Sequence, residues 1–323
     1  MKILITGGLG YIGSHISKLL KKRSIIIDNQ SNSQINFKKY LPEATVYISD
    51  LNKNILESVF QKHKIKSVIH LAGLKSVHES VQQPLKYYEN NVLSTIELLK
   101  AMSKFKINEL IFSSSATVYG NQHSSPLNEN MSLHSNNPYG STKIIIEQLL
   151  NDYALSNSSF KAISLRYFNP IGADVKSNLS DQPLGEPQNI MPILIKAASK
   201  QKVFPIYGND YETHDGTCIR DYLHVMDLAS AHIQALKKIS KFKGHTPINI
   251  GLGKGLSVFE MVSLFERVNQ LKIKTRLAAR RKGDTPISYA ANKKAKLLLE
   301  WKPKYSYAIM IRDSWEAFKK KHD

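Results

Sequence analysis

Through the first half of the chain, short runs of nearly uninterrupted apolar residues alternate with segments whose apolar positions recur every three or four residues. The runs "KILIT", "SIIID", "TVYIS", "SVIHLA", "ELIFSSS" and "AISLRYF" have strand length and are rich in Ile, Val, Leu and Phe. Continuous apolar strands, rather than alternating ones, are expected where a parallel sheet is covered on both faces. Between them, "IGSHISKLLKK", "ILESVFQKH", "VLSTIELLKAMSK" and a segment from Tyr139, "YGSTKIIIEQLL", carry the helical period. This β-α-β alternation predicts an α/β fold. After about Asn169 the pattern loosens: "DQPLGEPQN" and "YGNDYETHDGT" are rich in Pro, Gly and Asp, while "MDLASAHIQALKK" and "SVFEMVSLFERVN" still read as amphipathic helices. No internal repeat, low-complexity tract or long linker appears.

The turn after the first strand gives this alternation a purpose. In "ITGGLGYIGSH", Gly7, Gly8, Gly10 and Gly13 lie between a strand and a helix, where glycines permit a tight turn and the helix start presents N–H groups to a pyrophosphate. Asp28 ends the second strand twenty residues after Gly8. A carboxylate there holds ribose hydroxyls and repels a 2′-phosphate, favouring NAD over NADP, although alone it could equally be a turn residue in "DNQSNS". The expected architecture is a Rossmann-like doubly wound parallel sheet over residues 1–169. A smaller mixed α/β substrate-binding part follows over 170–323, with some later segments returning to the first.

Strand ends carry the remaining chemistry. "SVIHLAG" and "ELIFSSSATVYG" finish in small residues, and ligands of open parallel sheets lie across such ends. Tyr139 and Lys143 share a helix face, and a cation beside a phenol favours the phenolate, making a base usable near neutrality. An isolated pair of this spacing is more often a tyrosine packed on a lysine stem, and serines at a strand end are often turn formers. Placed after a dinucleotide turn, Ser115, Tyr139 and Lys143 form a constellation. The eleven histidines show no metal-binding spacing, so no metal is expected, and His70, His214 and His224 read as strand or loop residues.

The charge adds one alternative. With 45 Lys and Arg against 26 Asp and Glu, the chain carries +19, which invites a nucleic-acid reading. The lysines are scattered in ones and twos without interleaved aromatics, so anionic small molecules are the expected partners and nucleic acid is not. A hydrophobic content of 42% and the lack of a long apolar run or signal-like start predict a cytoplasmic protein without a membrane association. Cys218, the only cysteine, fits a reducing compartment.

Taken together, "TGGLGYIG", Asp28, "HLAGLKSVHESV", "YYENNV", "FSSSATVYG", "PYGSTK" and "LRYFNPIGA" resemble the extended short-chain dehydrogenase/reductase family. Within it, "NIMPILIKAA", "YGNDYETHDGTCIRDYLHVMDLA", "NIGLGKG", "ARRKGDTP" and "LLEWKP" extend a resemblance to the NAD-dependent UDP-sugar epimerases along essentially the whole chain. The resemblance implies an isomerase that inverts carbon 4 of UDP-hexoses through a transient 4-keto sugar, with NAD retained between turnovers. It implies Tyr139 as base, Lys143 on the nicotinamide ribose, and Ser115 on the reacting oxygen. For the cofactor it implies Gly7, Gly10, Tyr11, Ile12, Asp28, Asn29, Asn32, Ser33, Asp50, Leu51, Leu71, Ala72, Gly73, Lys75, Asn90 and Phe168, together with Ser115, Tyr139 and Lys143. For the UDP-sugar it implies Asn169, Asn189, Ile190, Tyr207, Arg220, Arg281, Asp284 and Ser288, besides Ser115 and Tyr139.

Ser288 stands where some family members carry a tyrosine that closes the space near the sugar's carbon 2, so N-acetylated UDP-hexoses are expected to be accepted too. The connection "LLKKRSIIID" is shorter than usual in the family and lacks its turn glycine. A related 4,6-dehydratase would need an acid–base pair after Ser115, which Ala116 and Thr117 do not provide. A silent NAD-binding scaffold should have lost one of Ser115, Tyr139 and Lys143. Relatives commonly pair helices at about residues 84–104 and 139–155, implying a homodimer.

Overall fold

The computed structural model describes residues 1–33, 35–121, 124–281 and 283–322. β1 (Lys2–Thr6), β2 (Ser24–Asp28), β3 (Thr45–Ile48), β4 (Ile65–His70), β5 (Glu109–Ser115) and β6 (Lys161–Tyr167) lie in one parallel sheet, completed by a seventh strand, Gly244–Ile250. Across the sheet the order runs Gly244–Ile250, β6, β5, β4, β1, β2, β3. The winding direction reverses between β1 and β4, which opens a crevice at their C-terminal ends.

The apolar runs are continuous because each face has its own core. Ile3, Ile5, Ile26, Ile111 and Ile163 pack under helices Tyr11–Leu20 and Val225–Lys238. Leu4, Ile25, Val68, Leu110 and Phe112 face helices Lys53–Lys62, Ser94–Lys104 and Pro138–Ser156. Successive residues of β1 therefore serve opposite cores, and each fully buried Leu or Ile contributes roughly 2 kcal/mol.

One strand of the second half belongs to this sheet, and other segments join its core. Gly244–Ile250 pairs with β6, and Leu223, Leu228, Ala295, Leu299 and Trp301 join the same core as Ile3 and Ile5. The strand is hard to read because Pro247 interrupts it; an edge position tolerates the missing N–H. The helix Tyr307–His322, which the sequence pattern did not predict, packs with Val258–Asn269 in a separate apolar cluster. Helix Tyr11–Leu20 stops at Lys21, whose φ of 52° supplies the positive-φ turn that glycine would usually make.

Small sheets carry the remainder. Asn169–Ile171 pairs with Tyr222–His224, Phe204–Tyr207 with Thr275–Ala278, and Ile219–Arg220 lies between Leu256–Ser257 and Ile287–Ser288. Among the described residues, no helix is long and apolar enough to cross a membrane.

Candidate active site

Because the strands are parallel, their C-terminal ends share one edge, and the expected cofactor residues lie along it. Gly7 follows β1, Asp28 ends β2, Asp50 and Leu51 follow β3, Leu71–Gly73 follow β4, Ser115 ends β5 and Phe168 follows β6.

The glycine turn is packed to the limit of its backbone. A Cβ on Gly7, whose φ is 72°, would come 2.7 Å from the Ala72 nitrogen, and one on Gly13 would lie 2.7 Å from the Gly8 Cα. Helix Tyr11–Leu20 starts at Gly10 with no side-chain cap and no acidic residue in its first turn, so its N–H groups are left for an anion. The Asp28 carboxylate accepts from the backbone N–H of Leu9 at 2.9 Å and of Gln30 at 2.7 Å, bracing that turn. Burial raises its pKa, while these donors act against the shift. Asn29 donates to Asp50 at 2.7 Å beside it, Asn32 is exposed, and Ser33 is buried. Backbone donors at a glycine-lined helix start, with a carboxylate at the neighbouring strand end, fit a dinucleotide pyrophosphate and its ribose.

The loop after β4 is held by Asn91. Its side chain accepts from the Leu74 N–H at 2.8 Å, donates to the Leu74 carbonyl at 3.1 Å, and reaches the Thr142 hydroxyl at 3.2 Å. Asn90, the expected contact, is exposed, as is Lys75. The inward stripe Asn91, Thr95, Leu98 and Met102 is the signal that singles out the buried asparagine.

Helix Pro138–Ser156 begins on an Asn137 cap, with Pro138 at its first position. It presents Tyr139 and Lys143 to the end of β5, and Ser115, Tyr139 and Lys143 all lie within 9% exposure. Lys143 Nζ donates to the Ser113 carbonyl at 2.8 Å and stands 5.8 Å from the centre of the Tyr139 ring. Here the structure departs from the simple expectation. Burial raises the Tyr139 pKa, only the Ser115 hydroxyl lowers it, and burial also draws Lys143 down to about 8. Desolvation outweighs the neighbouring cation, so the phenol is protonated at rest.

His70 is structural, as its strand position suggested. Its ring bridges the Thr6 hydroxyl at 2.7 Å and the Thr95 hydroxyl at 2.9 Å, and burial lowers its pKa to about 3. His214 is exposed, beside Asp215 and Glu260, and His224 is buried beside Asp313. Among the described residues, no cluster of His, Cys, Asp or Glu is arranged to hold a metal.

The second group of residues converges from three small elements. Arg281 lies 5.1 Å from the centre of the Tyr207 ring and donates to Asp284 at 3.0 Å; Arg220 lies 3.7 Å from Asp284. Ser288 is the cross-strand partner of Arg220. Two guanidinium groups with one shared carboxylate leave forked donors for a diphosphate. Asn169 and Asn189 are exposed, Asn189 at the start of helix Ile190–Ser199, and Ile190 packs on the cluster beneath. Asp221, unremarked by the sequence pattern, is fully buried and accepts from the N–H groups of Leu252, Gly253 and Ala290, pinning the loops around Arg220. Burial raises its pKa to about 6.

Comparison with known proteins agrees with this geometry. The model of the NAD dependent epimerase/dehydratase family matches residues 3–251. The UDP-glucose 4-epimerase of Bacillus subtilis (strain 168) is 43% identical over 325 residues, covering 98% of this chain and 96% of its own length. A UDP-glucose-4-epimerase from Stenotrophomonas maltophila, solved with bound NAD and formylated UDP-arabinopyranose, superposes with a TM-score of 0.96 at 37% identity, covering 100% of this chain and 99% of its own. The UDP-Glc/GlcNAc 4-epimerase of Campylobacter jejuni gives 0.84 at 33% identity over 99% of each chain. With the glycine turn, Asp28 and the serine, tyrosine and lysine at one sheet edge, this chain belongs to the NAD dependent epimerase/dehydratase family.

Proposed function

We infer that this chain is an NAD-dependent isomerase that interconverts the carbon-4 epimers of UDP-hexoses. The observation that supports this reading is the meeting of Ser115, Tyr139 and Lys143 at the C-terminal end of β5, on the sheet edge that also carries the glycine turn and Asp28. NAD, when bound, supplies the oxidising power for carbon 4 and gives it back. The chain's own residues do the rest. Tyr139 takes the proton of the 4-hydroxyl as the carbonyl forms and returns it as the carbonyl is reduced. Taking that proton requires the phenolate, which the Ser115 hydrogen bond and the charge of Lys143 favour against the effect of burial. Ser115 bonds the reacting oxygen and lowers the cost of the phenolate. Lys143 supplies the positive charge beside it and holds the nicotinamide ribose.

Gly7, Gly10, Tyr11 and Ile12 hold the pyrophosphate of the cofactor, and Asp28 the adenosine ribose. Asn29, Asn32, Ser33, Asp50 and Leu51 surround the adenosine, while Leu71, Ala72, Gly73, Lys75, Asn90 and Phe168 border the nicotinamide half. Arg220, Arg281 and Asp284, with Asn169, Asn189, Ile190 and Tyr207, hold the UDP. Residues 1–169 thus serve the cofactor and 170–323 the sugar nucleotide. The small Ser288 leaves room for an N-acetyl group, so UDP-GlcNAc and UDP-GalNAc join UDP-glucose and UDP-galactose as substrates. The exposed Leu85, Leu93 and Ile145 on the 84–104 and 138–156 helices support a homodimer through those faces.

The test is turnover of each of the four UDP-sugars, followed by NMR. Carbon-4 epimers are expected from all four, and Tyr139→Phe should abolish them while still purifying with NAD. No epimer from any sugar, even with added NAD, would overturn the reading; turnover of the hexoses alone would overturn the role of Ser288.

A further inference from the structure

β5 ends in three serines, and each meets helix Pro138–Ser156 at a position one turn further on. Ser115 faces Tyr139, the Ser113 carbonyl accepts from Lys143 at 2.8 Å, and the Ser114 hydroxyl donates to Glu147 at 2.5 Å. Tyr139 and Lys143 are accounted for by the chemistry, but Glu147 is not. It is 3% exposed and clamped by Arg166 of β6, whose Nε lies 3.0 and 3.2 Å and Nη2 2.5 Å from its oxygens. Arg166 also donates to the Tyr119 hydroxyl at 3.0 Å, which donates to Asn249 at 2.6 Å. Every polar arm of this network is satisfied. A buried ion pair is a poor source of stability compared with apolar packing of the same volume, so a fully bonded one directly below a reactive lysine calls for another role.

We propose that Glu147 is a positioning residue for the epimerisation: locked by Arg166 and Ser114, it registers Lys143 on the end of β5 and supplies its counter-charge. The proposal rests on the roles inferred above for Lys143. Glu147 lies at i+4 from Lys143 and opposes the effect of burial on the ammonium, which stands at about 8. The other groups around the lysine are silent between pH 6 and 9. His70 from β4 and His245 from the last strand are pushed down to about 3 and about 4, and Tyr139 and Tyr167 are raised by burial. Arg166 stays charged, and Lys294, drawn down by burial, lies beyond it near Glu147. Lys143, drawn down to about 8, therefore loses its proton within that interval.

The experiment is the pH dependence of two quantities in the full chain carrying Glu147→Gln: kcat/KM, and NAD affinity by fluorescence titration. Loss of the carboxylate, with Arg166 left unpaired, lowers the proton affinity of Lys143. The alkaline limb of both profiles is expected to move down by roughly one pH unit, a tenfold loss on that limb, with little change at the acid end. Ser114→Ala, which removes one hydrogen bond but no charge, should leave the limb in place. Should Glu147→Gln fail to fold, the pair Glu147→Gln with Arg166→Met removes the orphaned cation, and a downward move of the limb is again expected. A limb unmoved in Glu147→Gln, or in the double variant where Glu147→Gln does not fold, would overturn the proposal. The NAD titration reports on Glu147 even where the epimerase reading itself fails, so the two failures are distinguishable.

Discussion

Lowering the pH from 6 to 5 should destabilise this protein through histidines folded in their neutral form. His70, His224 and His232 are fully buried, and burial lowers them from 6.5 to about 3, about 4 and about 4. Across that interval the unfolded chain holds on average about 0.9 of a proton at each of these sites, and the folded chain holds almost none. Because the unfolded state then binds more protons, stability falls as pH falls, by about 1.2 kcal/mol for each histidine. Asp221 works the other way. Its folded pKa of about 6 stands above the ordinary 3.8, so the folded state takes up its proton first and regains about 1 kcal/mol. His245, also lowered to about 4, contributes as each of these does, so the net loss is about 4 kcal/mol, which for a chain of this size lowers Tm by roughly 7 °C. Thermal melts followed by circular dichroism at pH 6 and pH 5 measure it. His232→Leu isolates one contributor. The His232 Nδ1–H donates to the Leu228 carbonyl at 2.9 Å, its Nε2 is buried without a partner, and the leucine should remove about a third of the fall. An equal fall in this variant, or a wild type as stable at pH 5 as at pH 6, would refute the linkage.

Other predictions concern the cofactor turn. Gly13→Ala would press a Cβ onto the Gly7 and Gly8 backbone, which cannot yield as a flexible side chain does. A loss of about 2 kcal/mol or more in denaturant unfolding is expected, together with loss of NAD from the purified protein. Asp28→Ala would free the N–H groups of Leu9 and Gln30 and remove the carboxylate proposed above to hold the ribose. NAD affinity should fall by about tenfold or more, measured by fluorescence titration, and the buried Leu9 N–H left without its acceptor should lower Tm by a few degrees.

The apolar runs and the glycine spacing were enough to read six of the seven sheet strands, the dinucleotide turn and the helix of Tyr139 and Lys143. They are local signals, written within a strand or one helical turn. The seventh strand was hidden by Pro247, and its membership is decided by pairing with β6, a partner far away in sequence. The electrostatics of the site lay equally beyond the sequence. The Tyr139–Lys143 spacing suggested a lowered phenol pKa, yet desolvation depends on everything packed around the pair and reverses the sign. Likewise, "YYENNV" does not say which asparagine turns inward; the packing of its helix against β4 and Thr142 selects Asn91. Residue type and spacing determined which chemistry is present. Burial and long-range pairing, which only the folded chain has, decided which groups are charged, which are braced, and that Arg166 and Ser114 meet Glu147 one helical turn beyond Lys143.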